Sequence, residues 1–316
     1  MNIILLGYNG LIGSYILRDL VELVKKLPNV KITCVGRNNK NQPFKIKEIK
    51  YEKWDFLTFS KSKLFFFENE NIIINCVGKN QSNSKNLRET NLIFIENLLN
   101  YLNKNRITTH LIHLGSVSVY GIEKNDIGSV KIVAENSELK FSDFYSKSKL
   151  EADNTIQNFQ KMRDNKLSYT ILRITNVISY SKKSGAYRLI EFLLKKGFWF
   201  KFSNNTNYHF IHVKDVASAV TLCIFNLNIA KNKIYIVSDD NNQLNLHKIY
   251  SNTYNVKLHI IPTPSRLIKL IIKYFFLPKK LLNFLLTISS EINYDNKKIK
   301  KELNFKTSYS LKDKIT

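Results

Sequence analysis

A tyrosine and a lysine at helical spacing could together transfer a proton. Tyr145 and Lys149 stand in the segment FYSKSKLEAD, and a separation of four residues places both side chains on one face of a helix. An unperturbed tyrosine has a pKa of about 10 and is a poor base at neutral pH. Because a neighbouring ammonium stabilises the phenolate, the spacing predicts that Lys149 lowers the pKa of Tyr145 and makes it a usable acid or base.

A serine upstream could complete this catalytic set. Ser116 lies in HLGSVSVYG at residues 113–121, where a predicted strand gives way to a loop. A hydroxyl there can donate to a carbonyl or hydroxyl of a substrate while Tyr145 moves its proton. Ser118 is the alternative donor and a candidate substrate contact. The tyrosine–lysine pair alone is a weak signal in a chain with 16 tyrosines, so the surrounding elements must support it.

Three glycines predict a phosphate-binding turn. They lie in GYNGLIG, directly between an apolar run and a segment with helical periodicity. The first glycine allows a tight turn, the second lets backbone approach a pyrophosphate, and the third permits close packing of helix on strand. The helix N-terminus then offers free N–H groups to the anion. We expect the dinucleotide to bind at Gly7, Gly10, Leu11, Ile12 and Gly13.

The end of the second predicted strand bears on the choice of cofactor. An NAD-binding fold usually has an acidic residue there, whereas this chain has Arg37, which could pair with a 2′-phosphate. NADP(H) is therefore favoured, and NAD(H) stays possible. Asp55 is placed to accept from the adenine amine, or else to cap a turn or helix. Further cofactor contacts are expected at Phe56, Val77 and Gly78.

The order of elements predicts an α/β fold of the Rossmann type, a doubly wound parallel sheet with a smaller C-terminal substrate lobe. Strands are predicted at 2–6, 30–36, 71–78, 109–117 and 167–174. Helices are predicted at 11–26, 91–104 and about 145–162. We expect residues 1–180 to form the dinucleotide-binding domain, with a later segment around 208–240 returning to it. Residues 181–316 are expected to form mainly the substrate lobe.

An ordered series of motifs resembles the extended short-chain dehydrogenase/reductase family, the NAD-dependent sugar-nucleotide epimerases, dehydratases and reductases. The resemblance covers essentially the whole chain. The motifs are GYNGLIG, NCVG with Gly78, ETN with Asn91, GSVSVYG, YSKSK, LRITNV with Arg173 and Asn176, and FIHVKDVA with His212 and Asp215. The resemblance implies that Ser116, Tyr145 and Lys149 are catalytic, that the last two also contact the cofactor, and that Asn176 contacts substrate.

Two departures from the family pattern narrow the expected reaction. Sugar 4,6-dehydratases of this family carry an acidic pair just after the catalytic hydroxyl, and here those positions are Val117 and Ser118. Many epimerases of this family grip the substrate pyrophosphate with an arginine shortly before the segment FIHVKDVA. No arginine lies between Arg188 and Arg266 in this chain. Arg188 is therefore a candidate substrate residue, with Lys201 and Arg266 as alternatives.

Composition and charge limit the partners. The chain has 316 residues, 49 lysines and arginines against 25 acids, and a net charge of +24. Only eight of those cations are arginine, so no specific nucleic-acid binding is expected. The excess lysine is interpreted either as a solvated surface or as attraction to polyanions or an anionic membrane face. The three cysteines are interpreted as thiols in a reducing compartment, not a disulfide frame, and no metal site is expected.

A basic, apolar stretch at 264–289 has two interpretations. It is either a helix packed into the substrate lobe or an interfacial amphipathic segment on an anionic membrane. We expect a cytoplasmic protein, with peripheral contact at the inner face of the membrane as the alternative. Family resemblance also suggests a homodimer through the helices at 91–104 and 145–162.

These observations predict an NAD(P)-dependent 4-keto reductase or 4-epimerase acting on a nucleotide-activated sugar. Arg37 favours the reductase, because NADPH is the usual cellular reductant. One alternative is the same chemistry on a polyprenyl-pyrophosphate-linked sugar at the membrane surface. Another is a non-catalytic dinucleotide-binding scaffold subunit.

Overall fold

A seven-stranded parallel sheet organises the described part of the chain. The computed structural model describes residues 1–27, 29–37, 42–55, 67, 71–80, 82–123, 126–162, 166–179, 191–201, 210–239, 251, 255–276, 282, 285–286 and 289–309. The sheet is built from β1 (Asn2–Leu6), β2 (Lys31–Gly36), β3 (Ile49–Lys53), β4 (Asn71–Asn75), β5 (Thr109–Ser116), β7 (Leu167–Ile174) and β11 (Lys233–Val237). Their spatial order is β11-β7-β5-β4-β1-β2-β3, which confirms the predicted doubly wound class.

Helices cover both faces of this sheet. They are α1 (Leu11–Lys26), α2 (Ser84–Arg88), α3 (Phe94–Lys104), α4 (Phe144–Met162), α5 (Val213–Phe225), α6 (Leu227–Ala230), α7 (Ser265–Tyr274) and α8 (Lys297–Leu303). A π-helical turn at Glu89–Ile93 joins α2 to α3, and a 3-10 turn follows β5 at Val117–Tyr120.

Side chains alternate between the two faces of the central strands. In β1, Ile3 and Leu5 pack with α1 and α5, whereas Ile4 and Leu6 pack with α3 and α4. Successive residues of a strand point to opposite faces, so a strand covered on both sides must be apolar throughout. This explains why the first strand is an unbroken apolar run.

The predicted strands and helices are confirmed to within a few residues, and two sheet strands were not predicted as such. β3 (Ile49–Lys53) is an edge strand with mostly exposed side chains, so it lacks the apolar run of a buried strand. β11 (Lys233–Val237) lies beside β7 at the other edge. The division into a dinucleotide-binding domain and a substrate lobe stays a prediction.

Smaller parallel strand pairs lie outside the main sheet. They are β6 (Val130–Val133) with β13 (Glu291–Tyr294), β8 (Asn176–Ile178) with β10 (Phe210–His212), and β9 (Phe198–Lys201) with β12 (His259–Pro262). All three cysteines are free thiols. Among the described residues, no helix combines the length and the apolar character that crossing a bilayer requires.

The C-terminal helix α8 is attached to the sheet edge by a carboxylate. Glu302 accepts hydrogen bonds at 2.7 Å from both the Lys233 ammonium and the Tyr235 hydroxyl of β11. Burial raises the pKa of Glu302, but the hydrogen bonds and charge of these partners outweigh burial and hold the pKa below its ordinary value. A carboxyl whose pKa is lower in the folded state stabilises that state above the unfolded pKa, which is about 4.3 for glutamate.

We expect Glu302→Gln to lower the free energy of unfolding by about 1 kcal/mol at neutral pH, since it removes one charge-assisted contact in a partly exposed place. The full difference in the free energy of unfolding between Glu302→Gln and the unmodified chain is expected above about pH 4.3. It shrinks as pH falls through the lower folded-state value, where Glu302 itself becomes protonated. Urea unfolding followed by circular dichroism at several pH values measures this.

Glu22→Gln is the matched control, because Glu22 makes an exposed pair with Lys25 on α1. Exposed pairs contribute little, so this variant should stay close to the unmodified chain. An equal loss in both variants, or a Glu302→Gln loss that does not depend on pH, would contradict the assignment.

Candidate active site

The carboxyl ends of neighbouring parallel strands bring the predicted site residues to one edge of the sheet. The Gly7 amide donates to the Val35 carbonyl at 2.9 Å, which joins the glycine turn to the end of β2. The Cys76 amide donates to the Leu6 carbonyl at 3.0 Å, which joins the turn to the end of β4. Ser116 ends β5, the next strand along. Residues distant in sequence therefore face one cleft edge.

The glycine turn requires glycine for steric reasons. Gly7 has φ +83°, a left-handed conformation that side chains other than glycine rarely adopt. A Cβ on Gly13 would lie 2.3 Å from the Gly7 carbonyl oxygen, closer than any real contact. A Cβ on Gly10 would meet only that same oxygen among the described residues, at 3.2 Å. The outer side of the turn is therefore open to a ligand.

The N-terminus of α1 fits the phosphates of a dinucleotide. The Gly10 cap makes no side-chain hydrogen bond to the helix, and the first turn contains no acidic residue. The amides of Leu11 and Ile12 belong to the first turn, where N–H groups have no partner within the helix. Free donors and the helix dipole favour an anion at this position.

The residues expected to select the cofactor lie around this turn. Arg37 follows β2 and is exposed, and Asp55 is exposed after the buried Trp54. The Trp54 amide donates to the Gly36 carbonyl at 2.9 Å, so both positions lie at the same sheet edge. Phe56 lies outside the described residues.

The loop after β4 presents its backbone to the same cleft. Gly78 is exposed and Val77 is half-buried. The Val77 amide donates to the Asn75 side-chain oxygen at 2.9 Å, so this amide already has a partner. Asn91 holds the rest of the loop, because its side chain accepts from the Lys79 amide at 2.8 Å and donates to the Ser148 hydroxyl of α4 at 3.0 Å.

The Ser116 side chain lies near enough to the Tyr145 phenol to affect its ionisation. Burial raises the pKa of Tyr145, the Ser116 side chain lowers it, and the charges of Asp143 and Asp153 raise it further. The net pKa of Tyr145 is above its ordinary value. The lowered phenol pKa expected from the spacing is therefore wrong for this structure, because burial is the larger effect.

Lys149 directs its ammonium toward the sheet. Its Nζ donates to the Leu114 carbonyl of β5 at 2.7 Å, and the side chain is buried. Burial lowers the pKa of Lys149 to about 8, against the opposing charges of Asp153 and Cys76. A Cβ on Gly78 would lie 3.5 Å from this nitrogen, so the ammonium is next to the predicted cofactor loop.

Behind Lys149 lies a buried polar cluster that the sequence did not predict. Asp153, one helical turn further on α4, accepts from Arg173 Nε at 3.0 Å. Its other oxygen lies 3.9 Å from His113 Nε2. Burial raises the pKa of Asp153, whereas the charge and hydrogen bond of Arg173 lower it. The available sequence signals were an acid four residues after Lys149 and a histidine inside an apolar strand.

The protonation state of His113 follows from its neighbours. Asn75 uses its oxygen to accept from the Val77 amide, so its Nδ2 donates to His113 Nδ1 at 3.0 Å. The proton of the neutral ring is therefore on Nε2, the nitrogen that faces Asp153. Burial and the charge of Lys149 lower the pKa of His113 well below its ordinary value, which keeps the ring neutral.

The candidate substrate residues are less closely grouped. Ser118 has a buried hydroxyl oxygen without a hydrogen-bond partner among the described residues, and its amide donates to Ser116 Oγ at 3.2 Å. Asn176 is exposed on β8. Arg188 lies outside the described residues, and so does the side chain of Lys201.

Comparisons with known proteins identify relatives of this architecture. A sequence model of the NAD dependent epimerase/dehydratase family matches residues 3–238. A search of curated proteins finds no match. Several hundred solved chains are similar.

Three solved structures illustrate the likeness. UDP-glucuronic acid 4-epimerase from Bacillus cereus, in complex with NAD, has a TM-score of 0.72 at 14% identity, covering 100% of this chain and 94% of that one. dTDP-glucose 4,6-dehydratase from Bacillus anthracis, also with NAD, has a TM-score of 0.69 at 16% identity, covering 100% of this chain and 94% of that one. A UDP-galactose 4-epimerase has a TM-score of 0.68 at 14% identity, covering 99% of this chain and 97% of that one. These likenesses show a shared fold.

We expect Gly13→Ala to weaken NADH and NADPH binding by about tenfold or more, because the new methyl group displaces the Gly7 carbonyl and opens the turn. Overpacking of this kind costs about 1–3 kcal/mol, so the melting temperature should also fall. Calorimetric titration and thermal unfolding measure the two effects.

Ser14→Ala is the control, because the Ser14 hydroxyl donates to the Leu11 carbonyl in the same helical turn without touching Gly7. It should bind dinucleotide almost as the unmodified chain does. Undiminished binding by Gly13→Ala would show that the ligand does not use this turn.

Proposed function

Because the chain belongs to the NAD-dependent epimerase/dehydratase family, we propose that it reduces the 4-keto group of a nucleotide-activated sugar with a nicotinamide dinucleotide. The observation that carries this proposal is the place of the Lys149 ammonium, which donates to the Leu114 carbonyl of β5 and lies close to Gly78. Ser116 ends the same strand, and Tyr145 lies one helical turn before Lys149 on α4. A proton donor, a second hydroxyl and a cation thus lie beside a turn that fits a pyrophosphate.

The Tyr145 phenol can act as the proton donor in the reductive direction. A phenol with a pKa above its ordinary value is neutral at pH 7, so it holds a proton that it can give to a sugar oxygen. Ser116 can hold that oxygen in place by a second hydrogen bond. When bound, the nicotinamide supplies the hydride exchange with the sugar carbon.

Lys149 serves as a fixed positive charge in this scheme. With a pKa of about 8, its ammonium is largely protonated at neutral pH and loses its proton as pH rises through that value. Its place next to Gly78 supports binding to the ribose hydroxyls of the cofactor.

Two sequence features support reduction over dehydration. Elimination of water needs ionisable groups beside the reacting carbons, and the positions after Ser116 are Val117 and Ser118. Arg37 supports NADPH as the donor, because a guanidinium pairs well with a 2′-phosphate.

A 4-epimerase is the second candidate. It is favoured by the solved structures of similar fold that are named 4-epimerases, one of them in complex with UDP-glucuronic acid and NAD. An epimerase would use the same Ser116, Tyr145 and Lys149, but Tyr145 would first accept the proton of the C4 hydroxyl while the oxidised dinucleotide took the C4 hydride. The resulting 4-keto sugar would then rotate in the site and be reduced on its other face before leaving. A lipid-linked sugar, a scaffold role, a cytoplasmic location and a homodimer through α3 and α4 all stay predictions.

We expect Tyr145→Phe to lower NADPH-dependent reduction of UDP-linked 4-keto sugars by about 10²-fold or more, because the proton donor is lost. Dinucleotide affinity should change little, since the glycine turn is intact. Absorbance of NADPH and NMR of the sugar product measure the reaction. Native mass spectrometry of the purified chain distinguishes the epimerase, which would retain NAD(H) and convert sugars without added NADPH.

Tyr274→Phe is the matched control, because Tyr274 is an exposed residue at the end of α7 and should keep full activity. Equal activity of Tyr145→Phe and the unmodified chain would exclude the proposed mechanism. Dinucleotide binding without turnover of any sugar by the unmodified chain would favour the scaffold.

We expect Arg37→Asp to raise the dissociation constant of NADPH by about tenfold or more while leaving NADH binding equal or tighter. The reason is that a carboxylate repels the 2′-phosphate but accepts hydrogen bonds from ribose hydroxyls. Fluorescence titration with both nucleotides measures the ratio. Lys31→Asp, at the opposite end of β2, controls for the change in net charge. An equal loss for both nucleotides would contradict the NADPH preference.

A further inference from the structure

Helix α7 (Ser265–Tyr274) has three distinct faces. Its buried face carries Ile268 and Ile272, which pack with Ile127 and Leu286 in a local core. A second apolar stripe points to solvent at helical spacing i, i+3, i+7, formed by Leu267, Leu270 and Tyr274. A helix in a soluble domain normally has one apolar face, so the second stripe needs a partner.

Cations line one side of the exposed stripe. Arg266, Lys269 and Lys273 also follow the spacing i, i+3, i+7, and all three are exposed. The apolar stripe therefore lies between the buried face and a basic edge. This division into an apolar stripe and a basic edge is typical of helices that lie in the plane of a membrane surface.

Two aromatic residues extend the stripe beyond the helix. Phe275 is 66% exposed and Phe276 is fully exposed, although phenylalanine is usually buried. Strand β12 (His259–Pro262), just before α7, adds two more exposed apolar side chains, Ile260 and Ile261. One short segment thus presents seven exposed apolar residues, more than scattered surface hydrophobics would explain.

The surrounding sequence is entirely without acidic residues. Residues 241–290 contain no aspartate or glutamate, and they contain seven lysines and arginines. In the whole chain there are 49 basic and 25 acidic residues, so this stretch departs sharply from the average ratio. Such a segment attracts an anionic surface and repels a second copy of itself.

We propose that α7 with Phe275 and Phe276 forms a membrane-docking surface that lies on an anionic phospholipid bilayer. The exposed leucines and aromatic rings enter the boundary between headgroups and acyl chains, and the three cations contact the headgroups. Each lysine or arginine near such a surface adds to the attraction, which falls as salt rises. This surface does not depend on the proposed sugar chemistry.

The test is flotation of the full chain with vesicles of phosphatidylcholine alone and with vesicles that also contain phosphatidylglycerol. We expect flotation only with the anionic vesicles, and less of it at high salt. Lys269→Glu/Lys273→Glu and Leu270→Ser/Phe276→Ser should each reduce the apparent partition constant about tenfold or more. All the substituted side chains are exposed, and circular dichroism checks that each variant folds.

Control variants distinguish vesicle binding through this surface from the effects of net charge and of exposed aromatic rings elsewhere on the chain. Lys31→Glu/Lys50→Glu changes the same net charge at exposed positions of β2 and β3, and Phe225→Ser removes an exposed aromatic ring at the end of α5. Both should float as the unmodified chain does. Loss of flotation in these controls, equal binding to both vesicle types, or no binding to either would overturn the proposal.

Sedimentation velocity without vesicles tests whether a second copy of the chain covers this surface instead of a membrane. A dimer that disappears in Leu270→Ser/Phe276→Ser would show that a second copy covers this surface, and the proposal would be wrong. Vesicle binding and sugar turnover are independent measurements, so the failure of one leaves the other standing.

Discussion

The architecture of the candidate site depends on the burial of one ammonium group. Removing a lysine charge from water is costly unless polar groups replace the lost hydration. Lys149 donates a hydrogen bond to the Leu114 carbonyl and lies near the negative charge of Asp153. Asp153 is itself paired with Arg173. Without Asp153, the buried Arg173 guanidinium would lose its carboxylate and Lys149 would lose the charge that offsets its burial. The lysine therefore stays charged near neutral pH although its pKa is lowered to about 8.

The same polar cluster connects the cofactor edge to the catalytic helix. Asn75 binds the Val77 amide on one side and the His113 ring on the other, and the ring faces Asp153. Asn91 makes a second connection between the loop after β4 and Ser148. Both side chains are buried, so their positions are set by packing as well as by hydrogen bonds. Hydrogen bonds of this kind, made by residues next to the reactive groups, hold those groups in a defined geometry before a ligand binds.

Local patterns predicted most of the fold and part of the site. The glycine turn was predictable because its spacing, the strand before it and the helix after it are adjacent in sequence. The elements that carry Ser116 and Tyr145 were predictable, because β5 is a buried run that ends at Ser116 and α4 begins just before Tyr145. The direction of the Tyr145 pKa shift was not, because it depends on burial by groups from several elements. The cluster around Asp153 was missed for the same reason, since Asn75, His113 and Arg173 come from three strands.

The pKa shifts bear on which protons the site holds at neutral pH. Burial acts on Tyr145 and Lys149 alike, since it favours the neutral form of each group. For the phenol this means a retained proton, and for the amine a charge that Asp153 helps to keep against burial. A neutral phenol can protonate an oxygen that gains negative charge, and the Ser116 hydroxyl can hold that oxygen by a second hydrogen bond. Reduction of a ketone, the reaction proposed for this chain, creates such an oxygen.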